Sequence, residues 1–188
     1  MITLIEIPDN EYEDLYSHMK RDFSGELAPF FAIKKNLDQS IYYGCYIVNG
    51  ETRLGYALIT APEGSIYALL NYFAIFPEYR SKGYGGEALK ILLDAYPGRT
   101  LVVEVDDPAA QKIPTRYEEA VRRIKFYERV GFCVMPTAKA RIFGVDMLIM
   151  ASAHDESFSP RAVMRALYLP ALGSRQWLRF VDVRDCDI

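Results

Sequence analysis

Leu69 to Gly86, LLNYFAIFPEYRSKGYGG, joins an apolar run to a proline, two cations and three glycines, and a helical pattern starts directly after it. Leu69 to Phe76 is almost unbroken apolar and aromatic sequence, which predicts a strand buried on both faces; Pro77 ends it by removing a backbone donor. Gly83, Gly85 and Gly86 let the chain turn tightly and approach a ligand closely. From Glu87 to Tyr96, residues Ala88, Leu89, Leu92, Leu93 and Tyr96 recur at helical spacing. The loop therefore opens a helix. The helix's first N–H groups, its dipole and the cations Arg80 and Lys82 together suit a polyanion such as a pyrophosphate.

Two families use such a loop. Gly83-x-Gly85-x-x-Ala88 satisfies the dinucleotide fingerprint, with Glu104 about 20 residues on as the ribose acid. Context excludes it: Phe-Pro-Glu-Tyr-Arg-Ser-Lys separates strand from glycine, and the remaining chain is too short for a second mononucleotide half. Arg80-Ser-Lys-Gly83-Tyr-Gly85-Gly86 instead resembles the R/Q-x-x-G-x-G/A pyrophosphate loop of the GCN5-related N-acetyltransferase (GNAT) superfamily. Phe126-Tyr127-Glu-Arg-Val-Gly131-Phe132 resembles the helix-to-strand signature of the same superfamily, in the right order. The two cover residues 69 to 132.

The resemblance implies an α/β fold, a mixed, mainly antiparallel sheet flanked by helices, that binds acetyl-CoA and transfers its acetyl group to an amine by direct attack. It implies that Arg80, Ser81, Lys82, Gly83, Tyr84, Gly85 and Gly86 hold the pyrophosphate. The backbone of Phe73, Ala74 and Ile75 would align the pantetheine arm like an extra strand. Tyr127 matches the tyrosine that protonates the departing thiolate in many members, as a phenol of ordinary pKa near 10 permits; its place on an apolar helical line equally suits a core aromatic. Many members carry an asparagine before that tyrosine. Here the corresponding residues are Ala120-Val-Arg122-Arg123, so that contact is missing or replaced, and surface charge pairs account for the arginines. A non-catalytic acyl-CoA-binding member of the same fold is the alternative.

Size and composition fit this frame. The 188 residues, 51% hydrophobic, suffice for one domain with a sizeable core. We expect an acetyltransferase domain over 1–155 with a C-terminal helix and tail, 156–188, packed on it. A net charge of −3 gives no general attraction for nucleic acid or anionic membrane. Cys45, Cys133 and Cys186 show no disulfide or metal spacing, which points to reduced thiols in the cytoplasm. The N-terminus lacks a signal-peptide pattern, and no stretch reaches the ~20 apolar residues of a membrane span. His18 and His154 are far apart without ligand spacing, so no metal is assigned. The antiparallel strands and the tail are compatible with a homodimer.

In chain order, Ile2 to Ile7 reads as an edge strand, and Tyr12, Leu15, Tyr16 and Met19 as one face of a helix. A second helix begins near Pro29. Its Phe30 and Phe31 are expected in the core, although the Phe23 to Leu37 segment corresponds to part of the superfamily's acceptor site. Ile41 to Val48 and Arg53 to Ala61 flank Asn49-Gly50, a strong hairpin signal. Thr100 to Val105 is a buried strand, followed by a surface loop to Arg116 and an amphipathic helix from Tyr117 to Val130. Phe132 to Met135 and Val145 to Ala151 close the sheet, with 136–144 as a connection; Trp177 to Val183 is a final strand or an irregular tail.

Glu104 interrupts the apolar strand and shares a face with Val102 and Asp106. A carboxylate there can accept the amine proton, bind a cationic acceptor or pair with a helix cation. Asn71 and Tyr72 are further polar candidates.

Overall fold

The computed structural model describes residues 1–23, 27–153 and 158–185. His154 and Cys186 lie outside them, as do residues 24–26 of the aromatic segment. The chain forms a mixed, mainly antiparallel sheet flanked by helices, divided into two compact units: Met1–Ala61 with Leu70–Ala95, and Pro62–Leu69 with Tyr96–Ile188.

In the first unit, β1 (Ile2–Glu6) lies antiparallel on β2 (Tyr43–Asn49), and β2 on β3 (Thr52–Thr60). Asn49 pairs with Thr52 across the expected tight turn, where Gly50 takes a φ of 61°. Next to β3 runs β4 (Tyr67–Ile75), whose Leu70–Ile75 part belongs to this unit. The approach is so close that a Cβ at Gly55 would run into the Ala74 carbonyl, so β3 needs glycine there for space rather than for its dihedrals. Helix α1 (Tyr12–Asp22) buries Tyr12, Leu15 and Met19, its predicted face. Helix α2 (Phe30–Asp38) buries Ile33, Asn36 and Leu37 instead of the two phenylalanines. Phe31 is 75% exposed, and Phe30 is half-buried with its ring 5.1 Å from that of Tyr16. In α3 (Tyr84–Ala95), Ala88 joins Ile2, Ile47, Leu54 and Ile75 in one apolar cluster.

In the second unit, the Tyr67–Leu69 part of β4 pairs in parallel with β5 (Thr100–Asp106), from Tyr67↔Thr100 to Leu69↔Val102. A parallel pair requires a crossover, which α3 supplies in the sequence. Helix α4 (Pro114–Glu128) starts three residues before the expected Tyr117, because Pro114 tolerates the first helical turn that it was read as interrupting. Strands β6 (Cys133–Val134) and β5 both pair with β8 (Val145–Ala151). The 136–144 segment is itself a strand, β7 (Thr137–Ile142), turning into β8 through Phe143 (φ 49°) and Gly144 (φ 86°). Two successive positive φ values make a hairpin turn of the primed kind, which usually announces itself by Asn-Gly or Asp-Gly. Phenylalanine conceals it. Its conformation is held by its N–H, which donates to the Phe180 carbonyl at 2.7 Å, and by stacking on the Phe180 ring.

Helix α5 (Pro160–Phe180) begins at Ser159, whose Oγ accepts from the Ala162 N–H. It is broken at Gly173 (φ 72°, ψ 164°) and runs directly into β9 (Val181–Asp185), which pairs with β7. Val163, Met164, Leu167 and Trp177 of α5 share a core with Leu69, Val102, Ile142 and Ile149. No helix among the described residues is long and apolar enough to cross a membrane.

Candidate active site

The glycine-rich loop is built in the first unit. After Ile75 the chain makes a 3-10 turn over Pro77–Tyr79, and its direction then reverses through Ser81 (φ 62°) and Gly83 (φ 87°) before α3 begins at Tyr84. The Gly83 carbonyl accepts from Gly86 N–H at 3.0 Å and Glu87 N–H at 3.3 Å, so one shared acceptor closes the first turn. Its first N–H groups have no partner within the helix and face the positive end of the dipole. Gly86 has neither a positive φ nor a neighbour within 4 Å of a would-be Cβ. Nothing within the chain demands glycine at that position, and what it leaves is room at the helix N-terminus. That room, beside several N–H donors, fits the pyrophosphate of a coenzyme.

The two loop cations differ. Lys82 is exposed, its Nζ 5.6 Å from the centre of the Tyr79 ring. Arg80 is tied down: Nε donates to the Ile75 carbonyl at 2.7 Å and Nη2 to Asp22 Oδ1 at 2.8 Å, with half of the side chain exposed. The Asp22 side chain, 3% exposed, also accepts from Arg21 Nε and Nη2 and from the Tyr56 hydroxyl. Burial alone would raise its pKa; the hydrogen bonds from Arg21 and Tyr56 and the charges of Arg21 and Arg80 outweigh that and hold it below its ordinary value. Arg80 thus fixes the end of β4 to the end of α1. Sequence reasoning missed Asp22, which reads as one more acid on the helix's polar side.

Phe73 is partly buried against the first unit's apolar cluster, and Ala74 and Ile75 are buried. Asn71 Oδ1 accepts from Thr60 Oγ1 at 2.8 Å. The Tyr72 hydroxyl accepts from the Ala28 N–H at 3.4 Å, and its ring meets Phe23 edge-on at 5.1 Å. Tyr72 therefore sits beside the aromatic segment, whereas Asn71 is tied to β3.

The second unit carries Glu104 and Tyr127. Glu104 lies mid-strand in β5, opposite Ile149 of β8. The residue as a whole is only partly buried, but its Oε1 is out of solvent and has no partner among the described residues. Its Oε2 accepts from the Tyr168 hydroxyl of α5 at 2.8 Å. Loss of water pushes its pKa up to about 7, against the smaller lowering effect of that hydrogen bond. Of the sequence alternatives for Glu104, pairing with a helix cation belongs to its neighbour: Asp106 meets Arg123 of α4 at 3.1 Å. Tyr168 was invisible in the sequence, because it stands on the apolar stripe of a helix beyond the recognised motifs.

Tyr127, near the end of α4, is 8% exposed and packs against Phe126 and Phe132. Burial raises its pKa to about 12, with the Arg123 charge acting in the opposite direction. The phenol therefore keeps its proton throughout the neutral range. Its core packing and a proton-donor role are compatible, since the hydroxyl alone would act. A carboxyl that titrates near neutrality is able to accept a proton there, and a phenol held protonated is able to donate one. Among the described residues, no group of three or more His, Cys, Asp or Glu could hold a metal.

Comparison with known proteins agrees with this reading of the fold. Residues 10–132, well over half of the chain, match the model of the acetyltransferase (GNAT) family. No curated protein sequence matches. Among solved structures, a Bacteroides thetaiotaomicron protein assigned to that family superposes with a TM-score of 0.77 at 19% identity, covering 92% of this chain and 99% of its own. The ribosomal-protein-S18-alanine N-acetyltransferase of Escherichia coli gives 0.56 at 19% identity over 85% of this chain and 99% of its own. Arabidopsis thaliana NAA60, in complex with acetyl-CoA, gives 0.59 at 14% identity over 80% and 97%. At these identities the structural likeness speaks for the fold alone.

Proposed function

This chain belongs to the GNAT family of acetyltransferases, and from that premise we propose that it is an acetyl-CoA-dependent N-acetyltransferase acting on an amine. The observation that carries the reading is the turn from Gly83 to Gly86, where a reversed backbone and a glycine that nothing internal requires leave a helix N-terminus open to a pyrophosphate. Lys82 adds its charge to those N–H groups. Arg80 supports the turn from behind through Asp22, and the Phe73–Ile75 backbone receives the pantetheine arm. Bound acetyl-CoA supplies the acetyl group as a thioester, whose C–S bond breaks as a C–N bond to the acceptor forms.

Glu104 Oε1 takes a proton from the acceptor ammonium, leaving the nitrogen lone pair free to attack. The Tyr127 hydroxyl gives its proton to the departing sulfur, and the second proton shed by the nitrogen restores the phenol. One proton per turnover returns to solvent from Glu104. No cysteine takes part, so acetyl passes directly from donor to acceptor.

Isothermal titration with acetyl-CoA, and separately with NAD, tests the first half. Gly86→Leu should fold, as a thermal melt checks, because the Cβ it adds has no neighbour within 4 Å, and should lose acetyl-CoA binding at least tenfold. NAD binding in place of acetyl-CoA would overturn the reading. Release of coenzyme A thiol with a panel of primary amines tests the second half, and Tyr127→Phe should abolish turnover while leaving acetyl-CoA affinity intact. Binding without transfer to any amine would mark a non-catalytic acyl-CoA binder.

A further inference from the structure

The carboxylate of Glu104 is held by a residue outside the part of the chain that matches the family. Residues 10–132 contain β5 and Tyr127, whereas Tyr168 belongs to α5. Its hydroxyl donates to Glu104 Oε2 at 2.8 Å, while Oε1 of the same carboxylate is buried without a partner among the described residues. A buried carboxylate oxygen left without a donor is costly, and native structures tolerate one mainly where a ligand or function completes it. Tyr168 is itself 7% exposed, with its ring centre 6.2 Å from that of Phe143 and 6.3 Å from that of Trp177. Two aromatic neighbours and the α5 core therefore fix the ring, and with it the place of the hydroxyl oxygen.

We infer that Tyr168 is a positioning residue for acceptor deprotonation: by anchoring Oε2 it orients Glu104 so that Oε1 presents its free lone pairs to the amine. This rests on the proposed acetyl transfer. It makes the C-terminal helix part of the acceptor end of the reaction, a role that no motif in the chain announces. The bond also distinguishes the two oxygens, since Oε2 is engaged by the tyrosine hydroxyl while Oε1 has no donor among the described residues. Removing the anchor leaves the carboxylate present but free to rotate, so the effect should fall on the acceptor and not on acetyl-CoA.

The test is a double-mutant cycle on Tyr168→Phe and Glu104→Gln, with thiol release measured against spermidine and a panel of simple primary amines. The best acceptor found serves for full kinetics. Phenylalanine preserves the ring and its packing, and a thermal melt of each variant checks the fold. Expected for Tyr168→Phe is a five- to fiftyfold loss of kcat/KM for the amine with KM for acetyl-CoA unchanged. In the Glu104→Gln background the same change should have less than a twofold effect, because an anchor has nothing left to position. Independent, multiplicative losses would overturn the inference and leave Tyr168 a packing residue, as would wild-type kinetics in Tyr168→Phe. A wild-type chain that binds acetyl-CoA but acetylates none of the amines would overturn the transfer reading itself, and the positioning role with it.

Discussion

Replacing Glu104 by glutamine should change how stability depends on pH, in a direction opposite to that of most carboxylates. The Glu104 carboxyl ordinarily titrates near 4.5 and is pushed up to about 7 by burial. A raised acid binds its proton more tightly in the folded chain. Its contribution to stability is therefore complete below pH 4.5 and is lost as pH rises through 7. Each pH step between those values is worth about 1.4 kcal/mol, so ionisation costs the folded chain about 3 kcal/mol above pH 8. That figure is a ceiling, because the residue is only partly buried. Glutamine is neutral throughout, and its carbonyl can still accept from Tyr168. Urea unfolding of both proteins between pH 4.5 and 8.5 isolates this group, since other titrations cancel in the difference. The variant should gain on the wild type by about 2–3 kcal/mol across that range, most steeply midway between 4.5 and 7 and levelling off above the folded value. A difference constant to within about 0.5 kcal/mol would show a carboxylate still in water, and would refute the argument that links its burial to its chemistry.

Two further outcomes are expected. Asp22→Asn should destabilise the chain by about 2 kcal/mol at pH 7, the scale of lost charge-assisted hydrogen bonds to Arg21 and Arg80. Because the Asp22 pKa is lowered from 3.8, its contribution is present above that value and disappears as pH falls below it, so chemical denaturation at pH 7 and pH 3 should give different penalties; equal penalties would mean the ion pairs contribute nothing. Gly55→Ala should cost about 3 kcal/mol or more by urea unfolding, since the methyl meets the backbone of β4 and not a flexible side chain. A loss below about 0.5 kcal/mol would show that the strands can part without penalty.

What the sequence disclosed was whatever local chemistry dictates. The apolar run before Pro77, the glycines of the loop and the Asn49-Gly50 turn each state a backbone requirement in residue types that few other structures would need, and the strands and the α3 N-terminus followed. The β7–β8 hairpin did not, because Phe143 occupies a conformation usually given to asparagine or glycine and is held there by Phe180, far along the chain. Phe31 was expected in the core on its apolarity, but Asn36 and not Phe31 falls on the buried face of α2. At the candidate site, Glu104 stood out as a charge among apolar neighbours. Its partner Tyr168 and the Arg80 partner Asp22 did not, since each pairing joins residues more than 50 positions apart and leaves no periodic trace.

The long helix after Ser159 also bears on how this polypeptide can be handled. Five of its side chains, Val163, Met164, Leu167, Tyr168 and Trp177, and two from the strand that follows it are buried with Leu69, Val102 and Ile149 in the interior of the second unit. A polypeptide trimmed back to the boundary of the family match would therefore not be a smaller version of the same fold. It would lose β6 to β9 as well as the helix, leaving β5 without its β8 neighbour and Leu69 and Val102 without their cover, and would be prone to associate with itself. The part that matches the family and the part that follows it share one core, so any shortened, permuted or fused version must carry both.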